Sequence, residues 1–314
     1  MFWQWTKVFI RGRFSLENTD RTAVTIGNFD GIHKGHQKLL QNLKTLSKQE
    51  HLTPVVYTFL KHPLNCLKGE GTLKTITDKA QKEEIFSELG LDTVIFEAFE
   101  NVKDRMPEEF VKQVLVDKLH MKLAVVGENN RFGKNSAGDA ALLCRLGEQY
   151  GFSVHVVKSL LMNGVVCSSS EVRNAVIDGS IGLANQLLGR PYRFTGTVIT
   201  GKKLGRTYGF PTANILVPEG RLTPKYGVYA TTAYVAGVPY QAITNVGTTS
   251  FDKVKIERVE THLIGFYGDL YGQTITIDFL RWMRGFVSYQ SVKDLEKQLE
   301  SDREDRLNIT EVEP

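Results

Sequence analysis

Two histidines three residues apart, His33 and His36, lie in the string Gly27-Asn28-Phe29-Asp30-Gly31-Ile32-His33-Lys34-Gly35-His36, directly after the apolar run Val24-Thr25-Ile26. Glycines at such a point let the backbone approach a phosphate, and a helix opening there offers N–H groups and the positive end of its dipole. Positions three apart on a first helical turn share a face. Two imidazoles on that face can each donate to a phosphate oxygen. Donors set where charge builds on a pentavalent phosphorus favour the transition state over the ground state. The chemistry is transfer of a nucleotide, without a covalent intermediate. A zinc site is the weaker reading, because no third Cys, His or acidic ligand follows at helical spacing. A second string, Ser168-Ser169-Ser170-Glu171-Val172-Arg173, sets hydroxyls and a guanidinium fork at a helix start, a good nest for an anion. Alone it reads as a plain N-cap. Beside the histidines it reads as a second jaw on the phosphates of ATP.

The later part of the chain carries Gly205-Arg206-Thr207-Tyr208-Gly209-Phe210-Pro211-Thr212-Ala213-Asn214. It is not a Walker A loop, since no Gly-Lys-Ser/Thr follows in register. Pro211 stiffens the backbone and pushes Phe210 towards extended geometry. In an extended segment Thr212 and Asn214 point to one face, where a hydroxyl and an amide can meet Mg²⁺ and phosphate oxygens.

Elements must hold these groups in place. The first half alternates apolar runs at 24–26, 55–59, 93–96, 123–126 and 154–157 with helical patterns at about 36–48, 78–89, 107–119 and 138–150. Pro107 followed by Glu108 and Glu109 is a good helix start. Strands and helices in this alternation predict βαβ units and a parallel, Rossmann-like sheet, with ligands at the carboxyl ends of its strands. Near residue 190 Gly and Pro become frequent. Short β-type runs follow, among them Thr274-Ile275-Thr276-Ile277-Asp278-Phe279-Leu280 with period two, then a charged helical stretch at about 290–304. This predicts a small antiparallel β-barrel with a terminal helix. The expected domains are 1–186 and 187–314.

A chain of 314 residues suits two domains. With 41% hydrophobic and 24% charged residues it reads as a soluble globular protein. The formal net charge of +4 suits phosphorylated ligands and argues against nucleic acid as a partner. The 3 cysteines, Cys66, Cys144 and Cys167, form no Cys-x-x-Cys pair and fit a reducing compartment. Charge interrupts the N-terminal segment early, and no apolar run is long enough to span a bilayer. The expected location is the cytoplasm.

The His-x-Gly-His string and the Ser-Ser-Ser-Glu-Val-Arg string together resemble the adenylyltransferase module of bacterial FAD synthetases. The resemblance extends to Thr58-Phe59-Leu60-Lys61-His62-Pro63, to Gly127-Glu128-Asn129-Asn130-Arg131-Phe132-Gly133 and to Gly138-Asp139. It implies that Gly27, Asn28, Phe29, Asp30, Gly31, His33, His36, Asn129, Ser169, Ser170 and Arg173 hold ATP. It also implies that Phe59, His62, Pro63 and Phe132 form a flavin pocket. That family usually has Pro at position 61 and an aromatic at 130, so Lys61 and Asn130 depart from it on the flavin side. Loss of an aromatic there predicts weaker flavin stacking, on the order of 1 kcal/mol; on a loop surface Asn130 would cost nothing.

The Gly-Phe-Pro-Thr-Ala-Asn string is similar to that of riboflavin kinases. The likeness continues through Pro224-Lys225-Tyr226-Gly227-Val228-Tyr229-Ala230, Asn245-Val246-Gly247, Val259-Glu260-Thr261-His262-Leu263 and Asp269-Leu270-Tyr271-Gly272. It implies Mg-ATP at Gly205, Arg206, Phe210, Pro211, Thr212 and Asn214, with Thr212 facing the metal, and Glu260 as catalytic base. Thr248-Thr249-Ser250-Phe251 and Met283 depart from the kinase pattern. The expected activity is bifunctional. Riboflavin would be phosphorylated to FMN in the second half and FMN adenylylated to FAD in the first, with Mg²⁺ as cofactor and ATP, riboflavin and FMN as substrates. Rival readings are one live half, or a flavin-binding regulator on the same scaffold. Retention of His33, His36, Thr212 and Glu260 argues against the regulator.

Overall fold

The computed structural model describes residues 7–10, 21–201, 209–251 and 254–309. Two compact units divide the chain, Met1–Ser169 and Ser170–Pro314.

The first unit contains strands β1 (Lys7–Ile10), β2 (Thr22–Ile26), β3 (Thr53–Phe59), β4 (Thr93–Glu97), β5 (Met121–Gly127), β6 (Arg131–Phe132), β7 (Gly138–Asp139) and β8 (Ser153–Val157). Its helices are α1 (Lys34–Gln49), α2 (Pro63–Lys68), α3 (Lys79–Glu88), α4 (Pro107–Glu109) and α5 (Ala140–Tyr150). Six strands form one sheet in the order β1-β4-β3-β2-β5-β8. The five expected strands run parallel. β1 adds an antiparallel edge on β4, beyond the five strands that the apolar runs predict. α4 continues as wider π-type turns over Phe110–Val116. It starts as expected at Pro107, with Glu109 accepting from Met106 N at 3.0 Å.

Both faces of this sheet are buried, as parallel strands require. Val24, Ile26, Val55, Tyr57 and Val126 pack towards Phe110, Leu115 and Leu143. Val56, Val94, Phe96 and Val125 pack towards Leu40, Leu43 and Phe86 of α1 and α3. The chain moves from β2 to β3 and β4 on one side, then crosses back to β5 on the other. The carboxyl ends of β2 and β5 therefore flank the switch point of the sheet, where ligands enter folds of this kind. A short hairpin, β9 (Leu161–Met162) with β10 (Val165–Val166), completes the unit.

The second unit holds α6 (Ser169–Asp178), α7 (Ile181–Leu188), strands β11 (Tyr192–Thr197), β12 (Ala213–Leu216), β13 (Gly227–Val235), β14 (Val238–Phe251), β15 (Val254–Leu263) and β16 (Thr274–Arg284), and α8 (Val292–Asn308). The antiparallel sheet runs β11-β16-β13-β14-β15-β12. A bridge from Ile199 to Asn214 links the segment after β11 to β12, so the sheet nearly closes into the expected barrel. Ile275, Ile277 and Phe279 alternate inward along β16. A chain of hydroxyls, Thr231 to Thr244 at 2.8 Å and Thr244 to Thr261 at 2.9 Å, crosses three buried strands. The 248–251 departure is a continuation of β14 against β15, with Thr248 opposite Glu257 and Phe251 opposite Val254.

α8 is the expected charged helix, yet charged side chains anchor it. The Arg306 side chain is fully buried, and its Nε donates to Thr231 O at 2.9 Å. Arg284 makes a two-pronged bond to Asp302, at 2.8 and 2.6 Å. Removing one member of a buried pair strands the other charge at a cost of about 3–5 kcal/mol. Asp302→Ala is therefore expected to lower the unfolding free energy of the second unit, read from the shift of its urea midpoint, by an amount near the lower end of that range. An unchanged midpoint would show that α8 is held otherwise.

Candidate active sites

In the first unit the His33 side chain caps α1: its Nδ1 accepts from His36 N at 3.3 Å. Cys167 Sγ lies 3.6 Å from the same nitrogen. A neutral ring that accepts at Nδ1 carries its proton on Nε2, so His33 is set as a donor. The His36 ring stacks on His33, with centroids 3.8 Å apart, and rests against Phe29 at 5.1 Å. Burial, followed by the nearby His33 and Lys82, holds His36 well below the usual imidazole range. It is neutral at pH 7. No acidic residue occupies the first turn of α1, so the positive end of the dipole is left for an anion. Gly35 is demanded by space: a Cβ there would come within 2.9 Å of Cys167 O.

The loop between β2 and α1 is strained. Phe29 at φ +48° and Ile32 at φ +40° are non-glycine residues in the left-handed region, each costing on the order of 1–3 kcal/mol. Burial offsets this, since both side chains are completely enclosed. Phe29 sits edge-on to Phe86 at 5.7 Å, so its ring belongs to the core, and what it can offer a nucleotide is backbone. Asp30 is likewise architectural: its buried Oδ1 accepts from Ile76 N at 2.9 Å and Thr77 N at 3.2 Å. Its carbonyl accepts from Ser169 Oγ at 2.8 Å. That bond joins the histidine string to the serine string. Ser170 and Arg173 follow on the opening turns of α6 in the second unit.

Lys82 carries no mark in the sequence. On α3, its Nζ reaches Asn28 O at 2.7 Å. Burial lowers its affinity for a proton, with Asp30 and Asp78 opposing. A lysine at i+4 from the N-cap Asp78 looks like an ordinary helix cation; only the packing of α3 on the loop reveals its task. That packing sets a lysine near the neutral His36. Lys82→Met is expected to slow adenylyl transfer at least tenfold, by analogy with loss of a transition-state donor, while kinase turnover stays unchanged. A variant with both rates intact would make Lys82 purely structural.

Among the residues expected to frame a flavin, His62 caps α2 by accepting from Leu64 N at 3.2 Å, and its Nε2 lies 3.5 Å from the Asn28 amide. Pro63 is the first residue of α2. Phe59 meets Phe99 at 5.4 Å, and Phe132 is buried beside Phe110. Lys61 pairs with Glu70 at 2.6 Å in full exposure, an arrangement of little energetic weight. Asn129 is exposed and its amide lies 3.4 Å from Ser159 Oγ. Asn130 instead turns inward, donating to Ile26 O at 2.8 Å.

In the second unit the register makes the site. Asn214 of β12 stands opposite Glu260 of β15, and Glu260 stands opposite Asn245 of β14. Directly opposed residues point to the same face, so one carboxylate is flanked by two amides. Asn214 Nδ2 lies 3.3 Å from Thr212 Oγ1, so the expected shared face of Thr212 and Asn214 is realised. The backbone of Gly201 closes over Asn214; a Cβ there would stand 2.8 Å from its Nδ2. His262 sits 5.1 Å from the Phe210 ring and donates through Nδ1 to Pro211 O at 2.9 Å. Burial keeps it below the usual imidazole range, and it locks the Phe210-Pro211 segment onto β15. A pocket beside Pro211 and Thr212 is also lined by Val198, Leu263, Asp269 and Tyr271. Gly205 and Arg206 lie outside the described residues. Asn245 has no role that the sequence alone assigns; in the fold its Oδ1 is buried with no hydrogen-bond partner. Among the described residues no group of three or more His, Cys, Asp or Glu is placed to hold a metal ion.

Residues 15–171 match the family model of FAD synthetase, and residues 188–310 that of riboflavin kinase. A bifunctional riboflavin kinase/FMN adenylyltransferase of Buchnera aphidicola subsp. Schizaphis graminum is 34% identical over 301 residues, covering 94% of this chain and 96% of its own. One of Escherichia coli strain K12 is 33% identical over 297 residues, covering 93% and 95%. A crystal structure from Streptococcus pneumoniae, described as a macrolide-efflux protein, superposes with a TM-score of 0.86 at 28% identity, over 94% of this chain and 96% of that one. No helix among the described residues is long and apolar enough to cross a membrane. The two matches in their order, and relatives aligned along nearly the whole length, establish that the chain belongs to the family of bifunctional riboflavin kinase/FMN adenylyltransferases.

Proposed function

We propose that residues 187–314 phosphorylate riboflavin and residues 1–186 adenylylate the resulting FMN, each half using its own ATP. The observation that carries this reading is the pairing of two independent phosphorus-transfer sets in one chain. One is the stack of His33 on the buried His36 at the start of α1; the other is the Asn214–Glu260–Asn245 row.

In the kinase half Glu260 takes the proton of the riboflavin 5′-hydroxyl as its oxygen bonds to the γ-phosphorus and ADP departs. Such general-base help is worth roughly 10²–10⁴-fold. Thr212 and Asn214 offer the hydroxyl and amide oxygens that suit Mg²⁺ and phosphate together. Magnesium brought with ATP would be held by these oxygens, and would supply neutralisation of charge on the transferring group. In the adenylyl half a phosphate oxygen of FMN bonds to the α-phosphorus of ATP, and the bond to the β-phosphate oxygen breaks to release pyrophosphate. His33, His36 and Lys82 stabilise the charge that builds there, with Ser169, whose hydroxyl donates to Asp30 O, beside them on the phosphate side. Asn129 and the backbone of residues 27–31 complete the nucleotide side. Phe59, His62, Pro63 and Phe132 frame the flavin. The reducing compartment inferred from its free cysteines supports action in the cytoplasm. Chromatography of the purified chain incubated with riboflavin, ATP and Mg²⁺ tests the reading. FMN followed by FAD is the expected course, and appearance of neither would sink it.

A further inference from the structure

Asn130 sits at the switch point of the first unit's sheet. Its backbone N donates to Gly127 O at 3.0 Å, closing a turn at the end of β5. Its side chain crosses to the neighbouring strand, where Nδ2 donates to Ile26 O at 2.8 Å. Ile26 is the last residue of β2, adjoining the loop that leads to His33. The amide thus spans the carboxyl ends of the two strands between which ligands of such sheets bind. A carbonyl oxygen can only accept, so the bond to Ile26 O fixes which way the amide faces. The remaining atom, Oδ1, is buried and has no hydrogen-bond partner. Buried acceptors are almost always matched by a donor. This one is held by the bond to Ile26 O and unmatched, between the strand ends that flank the switch point.

We propose that Asn130 Oδ1 accepts a hydrogen bond from an N–H on a planar heterocycle of the bound substrate, making Asn130 a specificity-determining residue for adenylyl transfer. Two substrate groups carry that chemistry: the exocyclic amine of adenine in ATP and the imide N3–H of the isoalloxazine in FMN. Phosphate is no match, because its ionised oxygens carry no hydrogen and the orphan oxygen cannot donate; a ribose hydroxyl can donate, but it survives in both analogues used below, so that equal use of the two would assign it instead. The inference rests on adenylyl transfer in this half. Asn130 touches no reacting atom, so its removal should act on KM more than on kcat.

The test uses the full chain and four substrate pairings: ATP or purine riboside triphosphate, which lacks the amine, with FMN or 3-methyl-FMN, which lacks the imide hydrogen. A site built around a hydrogen bond rejects the analogue without it. The wild type is expected to lose about tenfold or more in kcat/KM, mainly through KM, on one of the two analogues, and that analogue identifies the partner. Asn130→Leu should bring the natural substrate down to the level of that analogue, so that the ratio between them falls to about one. Asn130→Ser, whose hydroxyl can still donate towards Ile26 but reaches less far into the crevice, repeats the measurement should the leucine variant fail to fold. Equal use of both analogues by the wild type, or a discrimination ratio unchanged in the variant that folds, overturns the proposal. Failure of the wild type to make FAD from ATP and FMN would overturn adenylyl transfer itself, a separate outcome.

Discussion

Glu260→Gln is expected to make no measurable FMN from riboflavin, yet to convert supplied FMN to FAD at the wild-type rate. The substitution preserves size and a polar group on the face shared with Asn214 and Asn245, which oppose Glu260 on the adjacent strands. It removes the one property that the kinase step requires, a carboxylate able to receive the hydroxyl proton. Loss of a general base costs roughly 10²–10⁴ in turnover. The barrel should tolerate the change, because Glu260 lies on the opposite face from Val259 and Thr261, which are fully buried. The measurement is flavin chromatography with two starting substrates, riboflavin and FMN. Retention of FMN formation within tenfold would remove Glu260 from the base role.

The mirror experiment is His36→Ala, which should leave riboflavin phosphorylation intact and reduce FAD formation by roughly 10²–10³, the usual cost of one preorganised transition-state donor. His36 is the better target than His33, because His33 also caps α1 and its loss would disturb the helix. The same variant carries a stability signature. Folded His36 resists protonation because it is buried near His33 and Lys82. In the unfolded chain it takes a proton from about pH 6.5 downward. The unfolded state then binds more protons, so stability falls as pH drops through that range and levels off below the depressed folded value. The wild-type melting temperature of the first unit should therefore decline between pH 7.5 and 5.5 more steeply than that of His36→Ala. Parallel profiles would place the titration elsewhere. If both variants, Glu260→Gln and His36→Ala, lost both activities, the assignment of two separate sites would be wrong.

Both residues are legible in the amino-acid sequence, each for a local reason. His33 and His36 lie a few positions beyond an apolar strand, and Glu260 lies in a string with a strongly patterned neighbourhood. The five parallel strands are legible too, because a strand buried on both faces is a continuous apolar run, and α1 and α5 between them keep a helical period. The edge strand β1 is only 4 residues long, too short for an apolar run to stand out against its charged flanks. Phe29 and Asp30 are legible as part of the site but not in their manner of serving it. Their side chains secure the loop from within, through Phe86 and through Ile76 and Thr77.

What the order of amino acids settles here is chemistry and element type: imidazoles after a strand, a carboxylate among β-branched residues, a hydroxyl and an amide two apart after a proline. These are properties of short windows, where side-chain type and backbone period suffice. Neighbourhood belongs to the folded molecule. Lys82 reaches Asn28 across 54 positions, Asn130 reaches Ile26 across 104, and the Asn214–Glu260–Asn245 row exists through the register of three strands. Such contacts follow from burial summed over whole helices and strands, and a register slip of one residue would send Glu260 to the opposite face. No short window holds that sum, which is why Asn214 and, by resemblance, Glu260 are each named from their own strings while the row they form with Asn245 is not.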